Sequence, residues 1–283
     1  MKETTTLPET EQVREFVRAR YGAIAEQADE GGGCCGSGAT ASCGCGAKDD
    51  QTYGEKLGYT AEQLATAPAG ADLGLGCGNP LAIASIQPGE TVLDLGSGAG
   101  FDCFLAARQL AGTGRVIGVD MTAAMLAKAR ANARKGGYAG PVQPGRTPVE
   151  FRLGEIEALP VADASVDLII SNCVINLSPE KARVFREAFR VLKPGGRLAI
   201  ADVVTTKPLP AALRAQLDAI SACVGGATPV DELRAELAAA GFGRIDIVPR
   251  ESSREYIQHW TEAAAASEFV VSALITAYKP GAS

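Results

Sequence analysis

The chain is expected to be an α/β protein whose mostly parallel sheet carries helices on both faces. Three observations point there. Between Thr91 and Asp202, short and almost continuously apolar strands alternate with helical stretches, the pattern of strands buried on both sides. A glycine loop, Gly96-Ser-Gly98-Ala-Gly100, sits where the first strand hands over to a helix. The second strand then ends on an acid, Asp120, at the place where a nucleotide-type ligand presents its ribose hydroxyls.

The elements follow in order. Glu11 to Gln27 reads as a helix, because Val13, Phe16, Val17, Tyr21 and Ile24 fall near one face. The segment from Gly31 to Gly46 carries Cys34, Cys35, Cys43 and Cys45 among Gly, Ser and Ala. It has no packing face and reads as a mobile Cys/Gly-rich loop. Ala61 to Ala67 is a short helix. Thr91–Leu95 is the first strand, and Phe101 to Ala111 a helix stopped by Gly112. Arg115–Asp120 is the second strand. Thr122 is placed to cap a helix that runs to Arg134 with Met125, Leu126 and Ala129 on one face. Val149 to Leu153 and Val166 to Ser171 are the third and fourth strands. Pro179 to Val191 is a helix closed by Lys193-Pro-Gly-Gly196, and Arg197 to Asp202 is the fifth strand. Two helical stretches, Ala211 to Val224 and Val230 to Ala240, flank Gly225-Gly226. Arg244 to Val248 and Val271 to Lys279 read as closing strands. The organisation expected is an N-terminal helix and cysteine loop (1–70), a ligand-binding α/β domain (71–205) and a small C-terminal extension (206–283).

Composition narrows the function. The chain has 283 residues, 46% hydrophobic, enough for a normal core. Its net charge of −6 repels a phosphate backbone, which argues against nucleic acid as a partner. Met1 to Arg20 is polar and lacks the apolar core of a secretion signal, and no apolar run approaches the roughly 18–20 residues of a membrane span. A soluble, cytosolic monomer is expected. In a reducing compartment the eight cysteines are not structural disulfides, so they need another explanation. The single histidine, His259, excludes a histidine-rich metal site.

The glycine loop does not fit a dinucleotide. That fingerprint needs Gly or Ala at the sixth position from Gly96, which here is Phe101. The form Asp94-Leu-Gly96-Ser-Gly98-Ala-Gly100, with Asp120, the segment Gly154-Glu-Ile-Glu-Ala-Leu-Pro160 and Leu192-Lys-Pro-Gly-Gly196, resembles the landmarks of class I methyltransferases. That resemblance implies a Rossmann-like sheet and S-adenosyl-L-methionine as cofactor. Asp94, Gly96 and Gly98 would shape the pocket for its methionine part, and Asp120 would bind the ribose. Met121 would flank the adenine, Glu155 and Ile156 would address its edge, and Asn172, at the end of strand four, would face the cofactor.

Ligands gather outside the carboxyl ends of such strands. Where amino-methylating enzymes carry an acid- or amide-Pro-Pro-aromatic motif, this chain has Ser171-Asn-Cys173-Val-Ile-Asn-Leu177, so a thiol faces the cofactor. With Gly-Cys77-Gly-Asn-Pro80 and Cys223-Val-Gly-Gly-Ala227, this segment resembles the three cysteine motifs of arsenite methyltransferases, and the likeness is close over about residues 70 to 226. The resemblance implies that Cys77, Cys173 and Cys223 hold As(III) as substrate. Soft thiolates suit a thiophilic ion, and its lone pair can attack a sulfonium methyl group. It also implies that an N-terminal cysteine partners Cys77 in a disulfide, which a thioredoxin- or glutathione-type thiol then reduces. Cys34 and Cys35 are preferred for that role over Cys43 and Cys45. Cys103, inside the helix after the glycine loop, is assigned to packing. Two other readings stay open: a methyltransferase for a quinone- or sterol-type acceptor, and a non-catalytic metalloid-binding protein.

Overall fold

A computed structural model describes residues 7–28, 50–260 and 266–281. Cys34, Cys35, Cys43 and Cys45 lie outside the described residues. The helices are α1 (Thr10–Gln27), α2 (Asp50–Leu57), α3 (Ala61–Thr66), α4 (Leu81–Ala84), α5 (Phe101–Leu110), α6 (Ala123–Gly136), α7 (Lys181–Val191), α8 (Ala211–Ala215), α9 (Leu217–Ser221), α10 (Val230–Ala239), α11 (Arg254–Ile257) and α12 (Ala266–Phe269). The strands are β1 (Thr91–Leu95), β2 (Arg115–Asp120), β3 (Val149–Leu153), β4 (Val166–Asn172), β5 (Leu192–Thr205), β6 (Thr228–Pro229), β7 (Gly243–Arg250) and β8 (Val270–Tyr278).

The strands form one sheet in the order β3-β2-β1-β4-β5-β8-β7, with β6 beside β5. β1 to β5 are parallel, and β8 runs antiparallel to both of its neighbours. The sheet therefore continues past residue 205 into the C-terminal region. The strand order reverses at β1 and β4, the switch point where ligands bind in open α/β sheets. Alternation along the strands divides the core. Val92 of β1 packs with α5 and α6 residues such as Leu105 and Leu126, while Leu93 and Leu95 pack with Phe185 and Val184 of α7.

Three local expectations are corrected. Thr122 stands at the N-cap of α6, but its side chain makes no capping hydrogen bond. Its backbone N–H instead donates to the Asp120 carboxylate at 2.8 Å. Lys193-Pro-Gly-Gly196 is not a loop closing α7; it opens β5. The antiparallel neighbour supplies partners there: Gly195 N–H donates to Lys279 O at 3.0 Å and Lys279 N–H to Gly196 O at 2.8 Å. Ala211 to Val224 is not one helix but α8 and α9, broken at an extended Gln216. Leu213 and Ile220, one heptad apart, would share a face of a continuous helix. They bury in different places, Leu213 in the main core and Ile220 against Val13 and Val17 of α1, so the helix must turn between them.

Candidate active site

The sequence turns from β1 into α5 through glycines whose backbone no other residue adopts cheaply. Gly96 has φ +69°, and a Cβ there would meet Val174 Cγ2 at 2.4 Å. Gly98 has φ +51°, and the space a Cβ would enter holds no atom within 4 Å. Its N–H donates to Asp120 Oδ2 at 2.9 Å, tying the loop to the end of β2. Burial raises the Asp120 carboxyl above its usual range, opposed by the N–H groups of Thr122 and Gly98. Beside Gly98, the Ser97 hydroxyl is buried without a hydrogen-bond partner. An open cradle, an orphaned hydroxyl and a strand-end acid fit a ligand carrying hydroxyls and an extended chain.

One cleft joins this loop to the cysteines. Among its lining residues are Asp94, Gly96, Gly98, Asp120, Met121, Ile156 and Asn172, together with Cys173 and Cys223. Tyr21 of α1, Tyr53 of α2 and Trp260 complete the wall. Glu155 is the exception among the expected contacts. Its carboxylate turns to α1, accepting from Arg18 at 3.3 Å, and the cleft is lined by its neighbours Gly154, Ile156 and Glu157. A turn closed by a bridge between Glu155 and Ala158 lies here, which the spacing alone does not reveal.

Cys77 is wholly buried below the cleft floor. Its peptide is held from three sides. Asn172 Oδ1 accepts from Cys77 N–H at 3.0 Å, and Asn172 Nδ2 donates to Gly78 O at 2.8 Å. Tyr256 and Ser272 both donate to Cys77 O, and Tyr53 donates to Gly76 O. Asn172 thus faces the cleft mainly as a clamp. Its Nδ2 also donates to Tyr59 Oη at 2.9 Å and Asp102 Oδ2 at 3.2 Å.

The cysteines lie close together. Cys77 Sγ, Cys173 Sγ and a carboxylate oxygen of Asp202 lie within 4.8 Å of one another. Cys77 Sγ donates to Ala201 O at 3.4 Å, and Cys223 Sγ donates to Cys173 O at 2.7 Å. Two bonds of about 2.3 Å reach about 4.6 Å, so a small inward shift lets one ion bridge the first pair. Cys173 and Cys223 both adopt left-handed backbone, with φ +60° and +64°. Such strain, roughly 1–3 kcal/mol per residue, clusters at functional sites because it persists only where surrounding contacts enforce it. Burial pushes the Cys77 thiol up to about 11. Burial also raises Cys173 well above the usual range, and Cys223 is raised first by its hydrogen bond with Cys173 and then by burial. Burial therefore disfavours the thiolate forms. Cys103 is buried in α5, where a packing role was expected, and it also donates from Sγ to Asp94 Oδ2 at 3.2 Å.

Asp202 is the group that the residue pattern missed. It lies in β5 just past Ala201, the last residue paired with β4, and an acid at the end of the expected fifth strand was the available signal. Asp102 and Tyr59 were missed as well. Tyr59 donates to Asp102 at 2.6 Å, and burial lifts the Asp102 carboxyl.

A glycine cradle and ribose-type acid at the switch point of this sheet define a class I methyltransferase. A family model described as a methyltransferase domain matches residues 86–262. The chain is 51% identical over 271 residues to an arsenite methyltransferase of Halobacterium salinarum, covering 95% of this chain and 67% of that one. It is 38% identical over 158 residues to the Homo sapiens arsenite methyltransferase, covering 53% of this chain and 40% of that one. A solved arsenic(III) S-adenosylmethionine methyltransferase from Chlamydomonas reinhardtii superposes with TM-score 0.57 at 30% identity, over 83% of this chain and 75% of that one. The chain belongs to the arsenite methyltransferase family. It spans about two thirds of the Halobacterium relative and about two fifths of the human one.

Proposed function

We propose that this chain transfers methyl groups from S-adenosylmethionine to trivalent arsenic held by Cys77, Cys173 and Cys223. The observation that carries the reading is that Cys173 and Cys223 line the cleft that also contains the glycine loop, with Cys77 Sγ within 4.8 Å of Cys173 Sγ. Gly98, Ser97 and Asp120 would hold the cofactor, which supplies an electrophilic sulfonium methyl group when bound. Met121 and Ile156 would contact its adenine.

Burial suits the acceptor chemistry. Three thiols condense with arsenous acid, each S–H proton leaving with an arsenic hydroxyl as water. The product is neutral, so a dry site that disfavours thiolates still favours it. What the protein contributes would be placement, through the rigid Cys77 peptide and the strained backbones of Cys173 and Cys223. After transfer the arsenic needs two electrons. Cys34 or Cys35 pairing with Cys77 would supply them, with a thioredoxin- or glutathione-type thiol restoring the pair in a reducing cytosol. Among the described residues no helix is long and apolar enough to cross a membrane. A monomer suffices, since every group invoked comes from one chain. The biological consequence would be arsenic detoxification.

The test is incubation with As(III), a thiol and labelled S-adenosylmethionine, followed by arsenic speciation. Methylarsenicals should form, and Cys77→Ser, Cys173→Ser and Cys223→Ser should each abolish them. Normal cofactor binding without any methylarsenical would sink the proposal, and activity surviving all three substitutions would point to an organic acceptor instead.

A further inference from the structure

Asp202 stands against the thiol site, yet its oxygens are not open to coordinate an ion. Oδ1 accepts from Asn176 Nδ2 at 2.8 Å and from Val203 N–H at 2.7 Å. Oδ2 accepts from Ile175 N–H at 3.0 Å and Asn176 N–H at 3.3 Å. Four N–H donors fill the four lone-pair positions of a carboxylate. They leave no oxygen free for a metal–oxygen bond, and they favour the ionised form against burial, which raises the carboxyl to about 6. They also fix an anion at the edge of the sulfur cluster.

That placement matters for charge flow. In the proposed reaction the arsenic lone pair forms the As–C bond, and the electrons of the breaking C–S bond stay on the cofactor sulfur. The cofactor sulfur becomes a neutral thioether, and a unit of positive charge passes to the arsenic. No proton, oxidant or reductant is needed for this step. A neutral thiol cage provides nothing to balance the arriving charge. We propose that the Asp202 carboxylate stabilises the positive charge developing on arsenic during methyl transfer, acting through a low-dielectric site where a fixed anion is most effective. This inference rests on the reading given under Proposed function.

Lys181 is the cation that bears on Asp202, and its ammonium is occupied by Gly226 O and Thr228 Oγ1.

The test is Asp202→Asn in the full chain, measured in three ways. As(III) affinity and S-adenosylmethionine affinity should stay within about threefold of wild type, because both report the state before charge reaches the arsenic. The single-turnover rate with both bound should fall by about 10²-fold, the scale of removing one preorganised electrostatic partner. Asn176→Ala removes one donor and keeps the charge, and should retain at least about a tenth of the rate. If Asp202→Asn does not fold, Asp202→Glu decides: retained charge should preserve at least about a tenth of the rate, and a loss beyond a hundredfold with intact arsenic binding overturns the inference. An unchanged rate in Asp202→Asn, or a rate that falls in step with arsenic affinity, also overturns it. Wild type forming no methylarsenical would instead count against the underlying function.

Discussion

Replacing Asn172 by alanine withdraws the clamp that joins the cofactor side of the cleft to the Cys77 peptide. The hydrogen bonds lost are those of Nδ2, whose two protons are shared among Gly78 O, Tyr59 Oη and Asp102 Oδ2, and those that Oδ1 accepts from Cys77 N–H and Cys77 Sγ. Each is worth about 0.5–1.5 kcal/mol net, and groups left buried without a partner cost about 1–3 kcal/mol apiece. Asn172 is half-buried and water can repair part of the loss, so the lower end of the sum applies, about 3 kcal/mol. For a chain of this size that lowers Tm by roughly 6–12 °C. The carbonyl of Cys77 keeps its bonds from Tyr256 and Ser272, so the fold survives while the thiol drifts. As(III) affinity should fall about tenfold or more, since positioning errors of about 1 Å carry large costs. Urea denaturation gives the stability change, and arsenite titration gives the affinity. A stability change below about 1 kcal/mol together with unchanged arsenite binding would refute the clamp.

Gly98→Ala should cost only about 1–2 kcal/mol of stability, the strain of a left-handed non-glycine residue, because the added methyl meets no atom within 4 Å. It should weaken S-adenosylmethionine binding at least about tenfold by filling the cradle, which calorimetry checks. Cys103→Ala should leave arsenite binding stoichiometry unchanged and cost about 1–2 kcal/mol, as for a small buried hydrophobe; loss of bound arsenic would make Cys103 a ligand. Glu150→Gln should alter acid stability with a defined sign. Hydrogen bonds from Arg152 and Arg115, against a smaller burial effect, hold Glu150 at about 2, below its ordinary 4.5. Its contribution is present above pH 4.5 and disappears as pH falls through about 2, so wild type and variant should differ at pH 6 and converge near pH 2 in denaturation curves.

Much of the molecule was legible in the residue order because it depends on short-range rules. β1, β2 and β3 begin and end where the apolar runs do, and the glycine loop turns where only positive φ can be accommodated. The three cysteine motifs announced a thiol site. The break at Gln216 and the pairing of Gly195 and Gly196 were not legible, since each depends on which distant surface the segment meets. The same holds within the site. Residue order alone determined the fold class, the cofactor loop and the identity of the candidate thiols. Only the tertiary structure decided that Glu155 turns to α1 rather than the cleft, and that Asn172 clamps the Cys77 peptide. It alone brought Asp202 to the sulfurs, because strand order and register, not local pattern, set the neighbours across the sheet.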